Sequence, residues 1–310
     1  MRNRTIKGKR VGIAILALAL AALLLFTACA PGSPVTEKAV RVAYMCGLTG
    51  PAAASVQPML QGLQDYVRYF NEQHGIPGVT IEVLWGDTML QYSQLHSHYE
   101  RFVAQGIPLI FMEEATGLVG LRERFEKDQV VIVAPESGYE EVIYPPGWRY
   151  ATTTTLAEQA AVVIGYFREN WQEERPPRLA FVGIDSPWGY NPVATGTKYA
   201  QSLGFEVLPM EIVPFVTLDA STQLLRLKGS GADLVYMQAL PMGSGPILRD
   251  AERLGLLGQM QFSGHSSSMG ERVIQMTGVA SEGYLIPRKC PWFDETEVPG
   301  VKLMLDNMMK

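Results

Sequence analysis

Short apolar runs alternate with amphipathic stretches along the chain from residue 40 onwards. The segment 40–45 is apolar except for Arg41, which is typical of a buried strand, whereas residues 57–74 carry apolar side chains at helical spacing. The elements predicted after these are a strand at 79–85, a helix at 91–105, a strand at 108–112, a helix at 117–127 and a strand at 130–134. This alternation predicts a parallel sheet with helices on both faces.

A second alternation of the same kind begins after residue 155. The segment 144–155 contains turn residues followed by consecutive threonines, which indicates a crossing between domains. The elements predicted after it are helix 156–171, strand 179–183, helix 191–203, strand 205–213, helix 220–228, strand 233–238, helix 245–257 and strand 260–263. We therefore expect an α/β fold of two doubly wound parallel-sheet lobes, the first at 40–150 and the second at 151–284.

The first 28 residues differ in character from the rest. Residues 1–10 are basic, residues 11–28 form one uncharged apolar run, and Cys29 follows directly. This order predicts an export signal at 1–28 and a linker at 29–39. The residues around Cys29 resemble the bacterial lipobox, with Phe26 where Leu is usual, and the resemblance implies a lipid anchor on Cys29. The alternative is an uncleaved membrane anchor, since the apolar run just reaches spanning length.

Composition and charge narrow the possible functions. Apolar residues make up 47% of the chain, which is enough for folded cores. Five of the 26 basic residues and none of the 31 acidic ones precede residue 29, so the body has a net charge of −10. Such an acidic body argues against nucleic-acid binding. The chain has three cysteines and four histidines, and it contains no dinucleotide-binding, P-loop or zinc-protease motif. The sequence therefore predicts neither a metal site nor a cofactor.

Candidate binding residues follow from the position of loops in the predicted sheets. In open parallel sheets, ligands bind beyond the carboxyl ends of the strands. The loops at these ends are rich in Gly, Ser, Thr or Pro, and they lie at 48–55, 113–116, 135–138, 186–190, 239–244 and 264–268. Ordinary helix capping explains any single Ser or Thr, but six such loops on two lobes predict one ligand site.

Two features in these loops admit a second interpretation. Adjacent carboxylates such as Glu113 and Glu114 are usually solvated, but a position in a cleft would give at least one of them a function. The segment 264–268 begins like a nucleophile elbow, although it lacks the closing glycine. The sequence therefore leaves open a hydrolase that uses Ser266, without a matched acid and base.

Several segments share their order and spacing with one known family. They are VAYMCGLTGP at 42–51, RLAFVGID at 178–185 with Trp-Gly at 188–189, GADLVY at 231–236, LRDAERLG at 248–255, and Gly-Tyr at 283–284 with PGVK at 299–302. These segments resemble the leucine/isoleucine/valine-type solute-binding proteins, the type I periplasmic binding proteins of ABC importers. The resemblance covers residues 40–310 and implies two lobes joined by a hinge. It also implies that 285–310 return to lobe one, and that the chain is truncated, because the family normally continues further.

The resemblance also assigns roles to individual positions. The positions that hold an amino acid's carboxylate in the family fall on Ala115, Thr116, Glu136 and Gly138, and the position of the acid that pairs with its ammonium falls on Ser266. The aromatic residue that covers the ligand is retained as Trp188, whereas a second aromatic position is Leu240. Ser55 and Ser137 join this set from the loops at the strand ends.

The function implied is that of an extracytoplasmic solute-binding protein without enzymatic activity. It would deliver a small ligand, such as an amino acid or amide, to a membrane permease, and we expect a monomer. A sensor of the same fold is the alternative. Because Glu136 and Ser266 replace the usual partners, we expect a neutral or cationic ligand rather than an ordinary branched-chain amino acid. Cys46 and Cys290 are expected as free thiols, with a disulfide between them as the alternative.

Overall fold

Two parallel sheets form the framework of the computed structural model, which describes residues 38–73, 75–135, 140 and 144–307. The predicted α/β fold of two parallel-sheet lobes is confirmed. Within the described residues, neither sheet contains an antiparallel pair. Helices follow most of the described strands, as the crossovers of a parallel sheet require, whereas the strands Glu206–Val207 and Glu211–Ile212 are separated by three residues and both pair with the strand Arg178–Gly183.

Lobe one has the strand order β2-β1-β3-β4-β5. Its strands are β1 (Lys38–Cys46), β2 (Val79–Asp87), β3 (Leu109–Met112), β4 (Val131–Ala134) and β5 (Arg149–Ala151). Its described helices are α1 (Ala53–Glu72), α2 (Tyr92–Ala104), α3 (Ala115–Gly120) and α4 (Arg122–Asp128). The chain moves to one side of β1 for β2 and to the other side for β3, so a crevice forms at the carboxyl ends of β1 and β3.

Lobe two repeats this order. Its strands are β6 (Arg178–Gly183), β7 (Glu206–Val207), β8 (Glu211–Ile212), β9 (Leu234–Gln238) and β10 (Gln261–Gly264), arranged as β10-β9-β6-β7 with β8 also paired to β6. Its helices are α5 (Leu156–Glu169), α6 (Pro187–Ser202), α7 (Ser221–Ser230), α8 (Pro241–Arg253) and α9 (Glu271–Thr277). The corresponding crevice lies at the carboxyl ends of β6 and β9.

Each sheet buries both faces, which explains the continuous apolar runs in the sequence. In β1, Ala43 and Met45 pack with α2 and α4, whereas Tyr44 and Cys46 pack with Val56 and other residues of α1 on the opposite face. The strands of lobe two divide their side chains in the same way between two clusters. Each fully buried large apolar side chain contributes about 1.5–3 kcal/mol to this packing.

Some predicted boundaries were wrong. The helix predicted at 117–127 is two helices that meet at Leu121, and the strand predicted at 205–213 is the separate strands β7 and β8. Helices α6 and α8 begin four residues earlier than predicted, at Pro187 and Pro241. Proline is well suited to the first turn of a helix because that turn leaves its backbone nitrogens without partners. These prolines therefore start helices instead of belonging to loops.

The first crossing between the lobes follows β5 directly. Part of the segment predicted as a crossing, Arg149–Ala151, is the edge strand of lobe one, so only residues 152–155 connect β5 to the first helix of lobe two. Helix α5 then starts with a capping box, in which the Thr155 hydroxyl accepts from the Glu158 amide and the Glu158 carboxylate accepts from the Thr155 amide. This cap fixes the point at which lobe two begins.

The end of lobe two is also visible. Leu285 donates to the Phe262 carbonyl at 3.1 Å and accepts from the Gly264 amide at 3.0 Å, so pairing with β10 extends one residue beyond the predicted boundary at 284. Helix α10 (Pro299–Asn307) follows. The return of 285–310 to lobe one stays a prediction.

Two further expectations concern a disulfide between Cys46 and Cys290 and a helix that crosses the membrane. Cys46 is buried and Cys290 is exposed, and both are free thiols, so the disulfide alternative is not formed. None of the described helices combines the length and the apolar character needed to cross a bilayer. Residues 1–37, with the predicted signal and Cys29, lie outside the described residues.

Candidate functional site

A cleft of about 900 Å³ lies between the two lobes, at the carboxyl ends of their strands. Loops after β1 and β3 line it from lobe one, and loops after β6, β9 and β10 line it from lobe two. The two sheets therefore place their crevices opposite each other. Six predicted binding residues line this cleft, namely Ser55, Ala115, Thr116, Trp188, Leu240 and Ser266.

The other predicted positions cannot be placed. Glu136, Ser137 and Gly138, like Cys29, lie outside the described residues, so their roles stay predictions. The rule that ligands bind beyond the carboxyl ends of strands thus selected a set of residues that come together although they are far apart in sequence. Ser55 and Ser266, for example, belong to different lobes and line the same cleft.

Trp188, in the first turn of helix α6, packs against both lobes. Its side chain packs against the core of lobe one and against a core of lobe two. Its ring also meets the His265 ring edge-on, with 5.2 Å between centroids and an interplanar angle of 86°. This contact places a flat aromatic surface in the cleft from the second lobe, as the resemblance implied.

The position of Trp188 depends on the tight first turn of α6. The Ser186 hydroxyl caps the helix by accepting from the Gly189 amide at 3.1 Å. A Cβ atom at residue 189 would lie 2.0 Å from the Ile184 carbonyl oxygen, so only glycine fits there. The Trp-Gly pair in the sequence therefore has a steric cause.

Phe215 is a second aromatic contact between the lobes, which the sequence analysis missed. It follows β8 in a segment without regular structure, lines the cleft, and packs against lobe two and against the cluster of lobe one that contains α1. The signal available in the sequence was an aromatic residue after the second strand of lobe two, next to Pro214. Phe215 and Trp188 together hold two sides of the cleft in contact.

The carboxylates of Glu113 and Glu114 have different environments. Glu114 is only 9% exposed and accepts a hydrogen bond from the Thr88 hydroxyl. Burial raises its pKa, the bond from Thr88 acts in the opposite direction, and the charge of Asp87 raises it further. Glu113 is half-buried and accepts a hydrogen bond from the Tyr44 phenol. Both residues line the cleft, so the interpretation as an ordinary solvated pair is wrong.

The loop after β2 brings a further side chain into the cleft. Met89 and Leu90 both adopt left-handed backbone conformations, with φ of 53° and 57°, which cost free energy for residues other than glycine. The Asp87 carboxylate holds this loop by accepting from the Met89 amide at 3.0 Å. Leu90 thereby lines the cleft against Gly47, where a Cβ atom would lie 3.0 Å from the Leu90 side chain.

Ser266 lacks the contacts of an activated nucleophile. Its amide donates to the Gln159 side-chain oxygen at 2.9 Å, and its hydroxyl has no hydrogen-bond partner among the described residues. In the adjacent His265, Nε2 lies 3.1 Å from the Ala239 carbonyl and Nδ1 accepts from the Ser267 amide at 3.3 Å. Both ring nitrogens therefore meet backbone groups, and within the described residues no base reaches the Ser266 hydroxyl.

The described residues contain no group of three His, Cys, Asp or Glu side chains that would hold a metal ion. The arrangement of the cleft is instead that of a binding site. It has an apolar lining, a few polar groups on both walls and walls that belong to two lobes.

The sequence profile of the periplasmic binding protein family matches residues 39–310. The chain belongs to this family. The Leu/Ile/Val-binding protein homolog 2 of Brucella abortus (strain 2308) is 23% identical over 240 residues, which is 77% of this chain and 63% of that relative. The chain thus spans less than two thirds of the length of this curated relative.

Solved structures of other binding proteins share the fold. A branched chain amino acid ABC transporter structure from Thermus thermophilus with bound valine is 25% identical, with a TM-score of 0.81 over 87% of this chain and 70% of that chain. A solute binding protein from Rhodopseudomonas palustris BisB5 in complex with 3,4-dihydroxybenzoic acid is 16% identical, with a TM-score of 0.71 over 87% and 73% of the two chains. Membership of the periplasmic binding protein family agrees with the expectation that the chain is not an enzyme.

The buried carboxyl group of Glu114 makes a prediction about stability. Because its pKa is raised in the folded state, the folded protein binds this proton more tightly than the unfolded chain does. Its contribution to stability therefore falls as the pH rises through the raised pKa. At pH 7, Glu114→Gln should increase the free energy of unfolding by about 1 kcal/mol, or roughly 2–4 °C in melting temperature. The neutral amide keeps an acceptor for Thr88 without a buried charge.

Thermal melts of the full chain from pH 4 to pH 8 check this prediction. The stabilisation by Glu114→Gln should shrink towards pH 4, where the wild-type carboxyl group is itself protonated. Glu82→Gln is the matched control, because Glu82 is an exposed carboxylate on β2 of the same lobe. A Glu114→Gln variant that melts below the wild type at pH 7 would show that the charge stabilises the fold.

Proposed function

We propose that the protein binds a small solute in the cleft between its lobes and delivers it, outside the cytoplasm, to the membrane permease of an ABC importer. The observation that carries the proposal is the cleft itself. Its volume of about 900 Å³ lies in the range of small-molecule sites, and its lining combines apolar side chains with a few polar groups from both lobes.

The contacts across the cleft support binding by closure. A ligand that touches both walls would favour the arrangement in which Trp188 and Phe215 contact lobe one, because an open arrangement would lose half of the ligand's contacts. The crossing at residues 152–155 is short and follows a strand directly, which suits a hinge. The permease would then recognise the closed form, with one copy of this chain.

The relatives support the same class of function. Their names describe Leu/Ile/Val binding, a branched chain amino acid transporter with valine, and a solute binding protein with 3,4-dihydroxybenzoic acid. Ligands of this size combine an apolar body with polar groups. No observation on this chain favours the sensor, and the hydrolase is disfavoured because the Ser266 hydroxyl has no base among the described residues.

Binding by the cleft is tested by thermal shift of the full chain with valine, leucine, leucinamide, 3-methylbutylamine and 4-hydroxybenzoate. At least one compound should raise the melting temperature, since a ligand at 100 times its Kd adds about 2.7 kcal/mol to the stability. Trp188→Leu should weaken that compound's binding about tenfold or more, because the flat surface shared by both lobes is lost.

Trp171→Leu is the matched control, because Trp171 packs against Phe167 and Arg175 and does not line the cleft. Its ligand response should equal that of the wild type. A panel in which no compound stabilises the protein, or in which Trp188→Leu responds as the wild type does, would contradict binding in the cleft.

We also propose that Cys29 carries the lipid that anchors the protein to the membrane. Support comes from the sequence of residues 1–29, with its basic start, apolar run and Thr-Ala-Cys end. In cells, Cys29→Ala should release the protein from the membrane fraction or leave the precursor uncut, whereas Cys290→Ala should change neither. Unaltered fractionation and processing of the Cys29→Ala variant would rule out the anchor.

A further inference from the structure

Among the described residues that line the cleft, acidic side chains outnumber basic ones. Three carboxylate residues line it, Glu113 and Glu114 from lobe one and Glu271 from lobe two, whereas no lysine or arginine does so among the described residues. Lys289 is exposed and does not itself line the cleft, but its ammonium donates to the hydroxyl of the lining residue Ser267 at 3.2 Å. A ligand that brings a carboxylate into this cleft would meet like charges in a partly desolvated space.

The two acidic residues of lobe one have separate roles. Glu114 accepts a hydrogen bond from the hydroxyl of Thr88, which lies in the loop that carries Leu90 into the cleft. Glu114 thereby positions this loop. Tyr44 is buried in the core of lobe one, and its phenol donates a hydrogen bond that orients the Glu113 carboxylate. Burial raises the pKa of Tyr44, and the neighbouring Glu113 raises it further, so the phenol stays a neutral donor. A carboxylate that is held in this way is a directed acceptor.

Apolar side chains share the cleft with Glu113. Val56, Met59, Leu90, Trp188, Phe215 and Leu240 line the cleft. On the wall of lobe two, the Ser266 hydroxyl is shielded and has no hydrogen-bond partner among the described residues. It therefore offers a second polar contact for a ligand that spans the cleft. This distribution has an acceptor on one wall, a hydroxyl on the other and an apolar space between them.

We propose that the cleft selects an amine: a ligand with a cationic ammonium group bound at Glu113 and an apolar body packed against Trp188 and Leu90. This inference rests on the proposed function and names its ligand class. The sequence analysis expected a neutral or cationic ligand because of Glu136, whereas the described cleft assigns the acidic contact to Glu113. The role of Glu114 is to position the loop of Leu90.

Calorimetry with three compounds of one carbon skeleton tests the ligand class. The probes are 3-methylbutylamine, 3-methylbutan-1-ol and 3-methylbutanoate, which differ in head group and hence in charge. The full chain should bind the amine about tenfold or more tightly than the carboxylate, with the alcohol between them. Glu113→Gln keeps the size of the side chain and should reduce the ratio of amine to carboxylate affinity by about tenfold.

Two further variants separate charge in general from the specific carboxylate. Glu271→Gln removes another carboxylate of the lining and should reduce the ratio much less than Glu113→Gln does, whereas Glu82→Gln, at an exposed position of β2 that does not line the cleft, should leave it unchanged. Tyr44→Phe removes the donor that orients Glu113 and should reduce the ratio partly. Melting curves of each variant without ligand report folding independently of binding.

The outcomes distinguish this proposal from the proposed function. Carboxylate binding as tight as amine binding, if Trp188→Leu removes it, would overturn the amine assignment and leave solute binding in the cleft intact. An equal loss in Glu113→Gln and Glu271→Gln would overturn the role of Glu113. Absence of binding by all three probes would also overturn the amine assignment, whereas the wider thermal-shift panel decides whether the cleft binds a solute.

Discussion

The packing of one indole ring into two cores is the constraint on which this structure depends. Trp188 contacts the cluster of lobe one and a cluster of lobe two, so the geometry of the cleft follows from its position. That position in turn requires Gly189, because any larger residue would clash with the Ile184 carbonyl. A hydroxyl cap, a glycine and an aromatic residue within four positions therefore connect local helix geometry to the relation between two lobes.

The wall of the cleft in lobe one contains features that reduce the stability of the fold. Glu114 is a buried carboxylate whose charge is unfavourable there, and the adjoining loop holds two left-handed residues, Met89 and Leu90. Each feature costs free energy that the apolar cores of lobe one supply. Their common result is a wall that presents Leu90 and Glu113 to the cleft in fixed positions.

The fold was largely predictable because both sheets are buried on two faces, so that central strands such as β3, β4 and β9 are almost continuous apolar runs. The convergence of residues such as Thr116 and Ser266 in one cleft was predictable because strand ends converge in parallel sheets. The sequence could not show that Pro187 and Pro241 start helices and do not belong to loops. Nor could it show that Glu114 is buried, or that Phe215 reaches the other lobe, since these depend on tertiary contacts.

The central claim is that the cleft holds a small amine between its two lobes. Native mass spectrometry of the full chain, purified under non-denaturing conditions, measures whether one small molecule is bound to each chain. Extraction of that molecule and its identification then give its charge. The account predicts one bound compound with a basic nitrogen and an apolar body, absent from the Trp188→Leu variant. A bound carboxylate without a basic nitrogen, or a compound retained equally by the variant, would contradict it.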